Sequence, residues 1–285
     1  MSQIETAGIA PTRPTSGAKV PWIDRVPPVI SMAGVIASLV LIWQLVYISG
    51  VISTIILPSP AETWGEIIFV GNNLVTGDYM LAELGITIQE VIIGFVLSAV
   101  FGIALGVLVG ESRFGQSVIM PLLVAVNAMP KVAFAPVFIA WLGFGVSSKI
   151  AMAAFIAVFP VIVSTTAGMF AADNLQLKLF RSMGASRWQT LIKLKFPAAL
   201  PFVFAGLKTA AVFCVVGAII GEFLGGGSGF GELVRIAATQ IRIDRVFALI
   251  LYLSLVGLAL FWIVTWVQRR IVFWQSEDII EVGSA

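Results

Sequence analysis

Histidine is absent from this chain, cysteine occurs once, and charged side chains make up only 11% of its 285 residues. Each shortage removes a class of chemistry. Without histidine there is no imidazole to ligate a metal or to shuttle protons near neutral pH. The single cysteine, Cys214, lies inside an apolar run, so neither a disulfide framework nor a cysteine metal site can be built within one chain. Nor is there enough charge for an ordinary soluble domain, in which about a quarter of residues are Asp, Glu, Lys or Arg. Hydrocarbon takes its place: 59% of residues are hydrophobic and the mean hydropathy is +1.03, a balance that places the chain in a membrane.

Crossing a bilayer core takes about 20 apolar residues. Six runs reach that length, at 29–48, 87–109, 118–142, 150–170, 202–224 and 246–267. The expected fold is therefore all-α, an integral membrane protein with six transmembrane helices. Residues 1–28 are rich in Pro, Ser, Thr and Gly and read as a disordered N-terminal tail. They are not a signal peptide, whose apolar segment would begin nearer the start. Residues 29–274 form the membrane domain, and 275–285 a short C-terminal tail. Basic residues set the orientation. With the N-terminus inside, Arg13, Lys19, Arg25, Arg113, the five of segment 174–201, Arg269 and Arg270 are cytoplasmic, against Lys149, Arg235, Arg242 and Arg245 outside. Both ends are then cytoplasmic, and loop 51–85, with four carboxylates and no Lys or Arg, is external.

Within the spans, Gly94, Ser98, Gly102, Gly106 and Gly110 recur every four residues, as do Gly206, Ala210, Cys214 and Ala218. Such ladders let helix backbones approach closely, which drives packing in lipid. The third run carries Pro121, Pro130 and Pro136; broken backbone at membrane depth is tolerated in packed protein or beside a wet cavity. Near its middle sits Lys131, for which two readings stand: a positive lining for an anionic solute, or a side chain that snorkels or pairs with a carbonyl. Asn127, Ser164, Thr165, Thr166 and Thr209 could serve a solute or bond their own backbone. After the fifth span comes a glycine-rich stretch holding Glu222, Gly225 and Gly229, read as a gate with a charge at its rim or as a plain connector. Residues 110–117 have phosphate-loop spacing, but Gln116 stands at the lysine position and a membrane helix precedes them, so they hold no nucleotide.

Segment 174–201 is the polar interruption between two of these spans. Leu175, Leu177, Phe180 and Met183, then Trp188, Leu191, Ile192 and Phe196 recur at helical steps, predicting two short amphipathic helices that meet at Gly184-Ala185-Ser186. Gly184 is the expected hinge, Ser186 the cap of the second helix, and Pro197 and Pro201 the return to the membrane.

This segment resembles the cytoplasmic coupling loop of ATP-binding-cassette (ABC) importer permeases, in which a glycine is followed ten residues later by Ile-x-Leu-Pro. Here those places are taken by Gly184 and by Leu194-Lys195-Phe196-Pro197. The family's Glu-Ala-Ala falls on Lys178-Leu179-Phe180, a departure. The runs from Arg181 to Trp188, Met129 to Pro136 and Trp141 to Gly145 are similar to the nitrate, sulfonate and taurine branch, and the resemblance extends from about Leu57 to Trp274.

The resemblance implies a type I importer permease, not an enzyme, in a bacterial inner membrane. It implies a homodimer working with ABC ATPase subunits, which would bind ATP and Mg, and with a periplasmic or extracellular solute-binding protein. Membrane lipid surrounds it, and no nucleic acid or bound cofactor is expected. The residues implied for coupling are Lys178, Arg181, Ser182, Gly184, Ala185, Ser186, Arg187, Leu194 and Pro197; those for the path or gate are Asn127, Lys131, Glu222, Gly225 and Gly229. Solutes of the branch include nitrate, sulfonates, taurine, aromatic acids and pyrimidine vitamin precursors. An ion-coupled secondary transporter is the rival, disfavoured because Glu90 and Glu222 are the carboxylates within the spans.

Overall fold

Lipid offers no hydrogen-bond partner to a backbone, so spanning segments satisfy their own amides by coiling. A computed structural model of the chain describes residues 27–112 and 114–274, and the regular elements among them are helical. Apart from Pro27 and Pro28, the expected tails lie outside the described residues.

The chain divides into two units, Met1–Ile52 and Ser53–Ala285. The first contributes α1 (Pro28–Ser49), which opens with proline in its first turn and ends at Gly50 in the left-handed region, φ 67°. In the second, α2 (Pro60–Thr76), α3 (Tyr79–Glu111), α4 (Met120–Asn127), α5 (Ala135–Leu142) and α6 (Val146–Gly168) are followed by α7 (Asn174–Ser182), α8 (Arg187–Thr190), α9 (Phe196–Gly225), α10 (Phe230–Thr239) and α11 (Ile243–Ile271).

Helix α6 is the centre of this unit, packed between α3 and α9. The glycine ladder of α3 explains one side. A β-carbon at Gly94 would fall 2.7 Å from Ala153 Cβ, one at Gly102 2.6 Å from Val161 Cβ, and one at Gly106 2.5 Å from Thr165 Cβ. The other side is closed by α9, where a β-carbon at Gly206 would meet Ser164 Cβ at 2.8 Å and one at Gly217 would meet Ala153 Cα at 2.6 Å. Ala153 thus faces glycine on both flanks. In lipid, where apolar burial gives helices no reason to associate, this contact is the source of packing energy. Gly106→Leu should therefore wedge α3 from α6 and lower stability by about 1–3 kcal/mol or more, read as a fall in the thermal midpoint of the purified complex; Leu105→Ala, on an exposed side chain, should leave that midpoint in place.

Three features bear on these expectations. First, run 118–142, expected to carry broken backbone, does bend: Ser117–Asn127 and Lys131–Leu142 meet at 87°. Pro130 lacks a donor and pushes the residue before it out of the helical region, while Pro121 and Pro136 sit in first turns, where a missing N–H costs nothing. With the bent pair counted as one span, the described residues hold up to six helices able to cross a membrane. Second, Pro197 and Pro201 lie within continuous helix, for α8 runs into α9 as one apolar stretch, Arg187–Gly225. A π-helical turn at Leu191–Lys195 immediately precedes Pro197 and widens the coil where the proline ring would otherwise strike the preceding turn. Third, loop 51–85 contains α2, opened by a capping box in which Ser59 and Glu62 each accept the other's backbone N–H.

Candidate functional site

The long helix from Arg187 to Gly225 carries a candidate site at each end. At its start lies the segment read as a coupling loop. Asp173 caps α7 by accepting from Leu175 N. At the other end of α7, Ala185 N donates to Phe180 O and Gly184 N to Arg181 O, both at 3.0 Å. That is the two-bond reversal in which a glycine takes the left-handed position, and Gly184 has φ +76°. Ser186 then opens α8, accepting from Gln189 N at 3.2 Å while Gln189 Oε1 accepts from Ser186 N at 2.9 Å. The expected turn and cap are both present.

Most of this segment's side chains are uncovered. Lys178, Arg181, Ser182, Gly184, Ser186 and Arg187 are exposed, and Ala185, Leu194 and Pro197 are half-buried. Alongside the charges stand exposed Leu175, Leu179, Met183 and Trp188. Apolar side chains among basic ones, on two well-capped helices, make a surface suited to a protein partner.

At the far end, α9 gives way to the glycine-rich turn before α10. Here the sequence reading saw Glu222, Gly225 and Gly229 but missed the residues that hold them. Glu222 is fully buried rather than at a rim. Its Oε1 accepts from Thr87 Oγ1 at 2.5 Å and its Oε2 from Gly231 N at 2.6 Å. Thr87 Oγ1 in turn accepts from Phe230 N at 2.7 Å, and Glu83 accepts from Gly229 N. Lys149, expected in an external loop, is instead 1% exposed inside α6. Its Nζ donates to Ser228 O at 2.6 Å and lies 3.6 Å from Glu90 Oε1. Apart from that ion pair, the Glu90 carboxylate oxygens have no hydrogen-bond partner among the described residues. Burying charges costs several kcal/mol per ion unless each is matched, so this cluster depends on its own completeness.

The glycines follow from that geometry. A β-carbon at Gly229, where φ is +107°, or at Gly231 would overlap the Glu222 carboxylate. These positions are glycine so that the backbone can close on a carboxylate.

Beyond the turn, Arg235 pairs with Glu232, and Arg242 and Arg245 both pair with Glu66 of α2. The Arg235 guanidinium holds the Glu232 carboxyl below the usual carboxylate range. The stabilisation from that pair is thus complete at neutral pH and lost only in acid, as pH falls through the lowered pKa.

Lys131 makes contacts within the chain. Its Nζ donates to Asn127 Oδ1 at 2.8 Å and Asn127 O at 3.1 Å, and lies 5.3 Å from the centre of the Phe159 ring. The structure thus brings Asn127 and Lys131 together at the bend of the broken span. No hydrogen bond or ion pair among the described residues joins them to the Glu222 cluster. Of the uncharged polar residues, Thr209 donates to Ala205 O in its own helix and Thr166 to Gly106 O across to α3.

The family model described as "Binding-protein-dependent transport system inner membrane component" matches residues 98–273. Among curated proteins, a probable ABC transporter permease of Haemophilus influenzae is 31% identical over 84% of this chain and 95% of its own length. A formylaminopyrimidine transport permease of Halalkalibacterium halodurans is 32% identical, over 78% and 87%. A putative aliphatic sulfonates transport permease of Bacillus subtilis is 29% identical, over 84% and 86%.

Proposed function

We propose, from the premise that this chain belongs to the binding-protein-dependent transport system inner membrane components, that its α7–α8 segment is the surface through which a separate ATPase drives transport. The chain is an ABC importer permease of the nitrate, sulfonate and taurine branch, a transport subunit of the inner membrane. The observation that carries the proposal is the exposed, doubly capped Asn174–Thr190 segment, with its apolar side chains among Lys178, Arg181 and Arg187. ATP and Mg bind the partner, two permease copies form the path between them, and a solute-binding protein delivers cargo at the far side. The α7–α8 segment faces the cytoplasm with both termini, which puts the turn between α9 and α10 outside.

The cargo is a small organic anion such as a sulfonate or aromatic acid, nitrate, or a pyrimidine vitamin precursor. What relatives carry supports that range, and the half-buried Lys131 cation at the bend of the broken span suits an anionic member of it. Affinity recovery of the tagged chain from native membranes in mild detergent, with mass spectrometry of its companions, tests the assembly. An ABC ATPase in equal copy number is the expected result. Recovery of the chain alone, from membranes still active in uptake, would overturn the proposal.

A further inference from the structure

We propose that Lys149 is a positioning residue for transport, pinning the glycine-rich turn between α9 and α10 to α6, so that this turn acts as a fixed strut and not as a flexible flap. The inference rests on the permease reading. Four consecutive residues of the turn are tied by backbone groups to three different helices. Ser228 O accepts from Lys149 of α6, Gly229 N donates to Glu83 and Phe230 N to Thr87 of α3, and Gly231 N donates to Glu222 of α9. Six glycines between 221 and 231 would suggest mobility by composition alone, yet the β-carbon positions at 229 and 231 are filled by the Glu222 carboxylate. The lysine itself is laid along α9 by the same device. A β-carbon at Gly221 would come within 2.8 Å of Lys149 Cα and 3.1 Å of its Cβ.

Charge keeps the lysine in place. The Glu90 carboxylate of α3 lies 3.6 Å from its ammonium, so withdrawing the lysine would leave that carboxylate without its partner in the bundle. A turn that peeled open on each cycle would have to break these contacts together and strand Lys149. A turn that stays pinned moves only as α3, α6 and α9 move.

A measurement on the complete transporter separates this role from folding, and ATP-dependent uptake by the parental complex reports independently on the permease reading. It pairs Lys149→Met with Glu90→Leu, removing both charges of the ion pair so that the complex still assembles. Solute moved per ATP is expected to fall about tenfold, the value of a lost hydrogen bond to a charged group. A double variant that assembles and keeps the parental ratio would show that Lys149 only neutralises Glu90, and one that fails to assemble while Glu90→Leu alone does so would show a structural role.

Discussion

Gly184→Pro is expected to reduce uptake to background while the chain still inserts in the membrane and is recovered in normal amount. Proline fixes φ near −65°, whereas Gly184 sits at +76°, so the reversal at the end of α7 cannot form. The substitution also deletes the N–H that donates to Arg181 O and disfavours the helical conformation of Met183 before it. Together these exceed the roughly 3 kcal/mol of an ordinary helix-interior proline, concentrated at one turn of an exposed segment where no spanning helix feels it. Gly184→Asn is the informative partner. Asparagine tolerates the left-handed region, and nothing lies within 4 Å of a β-carbon there, so uptake near the parental value is expected. Normal uptake by the proline variant would remove this segment from coupling.

The second large effect lies at the other end of α9. Gly229→Ala should prevent assembly of the complex, whereas Gly227→Ala should be tolerated. Both positions have left-handed backbone, φ +107° and +87°, for which a side chain costs about 1–2 kcal/mol. They differ in what surrounds them. Nothing lies within 4 Å of a β-carbon at Gly227, while one at Gly229 overlaps the Glu222 carboxylate, whose oxygens already accept from Thr87 and Gly231. Moving that carboxylate leaves a buried charge and a buried backbone donor unmatched, which adds several kcal/mol. Size-exclusion chromatography of each detergent-extracted complex decides the matter. Equal recovery of the two variants would mean that the turn accommodates a side chain and that Glu222 is not locked.

Much of the fold was legible because hydropathy and small-residue spacing are local signals. The apolar runs became helices, the α3 ladder met α6, and Gly184 and Ser186 took the positions their chemistry favours. The capping signature of α2 was also in plain sight, since Ser59 precedes Glu62 by three residues, yet it sat inside what composition called a loop. Lys149 escaped because its meaning is not local. A lysine beside an apolar run reads as a boundary, and only its contacts with Glu90 and with Ser228, 79 residues further on, make it an interior residue. For the same reason Glu83 and Thr87 carried no signal: they sit on the first turns of α3, and the amides they hold belong to residues 146 and 143 positions away. Pro197 sits beside a widened turn that absorbs it within the helix, whereas Pro130 informed, since the chain does bend there.

The central place of α6 bears on how the chain is made. Synthesis delivers residues at about 5–20 per second, N-terminal parts first, so the 79 positions between Lys149 and Ser228 correspond to roughly 4–16 seconds on the ribosome. During that interval α3 and α6 can be side by side in the bilayer, but α6 has no α9 to lie against, and Lys149 has only Glu90. The nascent half-bundle therefore presents an uncovered helix face and an under-matched charge. A chain cut short before Glu222 should be cleared much faster than one ending after α10, as a pulse–chase comparison of the two lengths would reveal. On this account the glycine-rich turn completes the packing of α3, α6 and α9, with only α11 still to dock against α9 and α2 among the described helices.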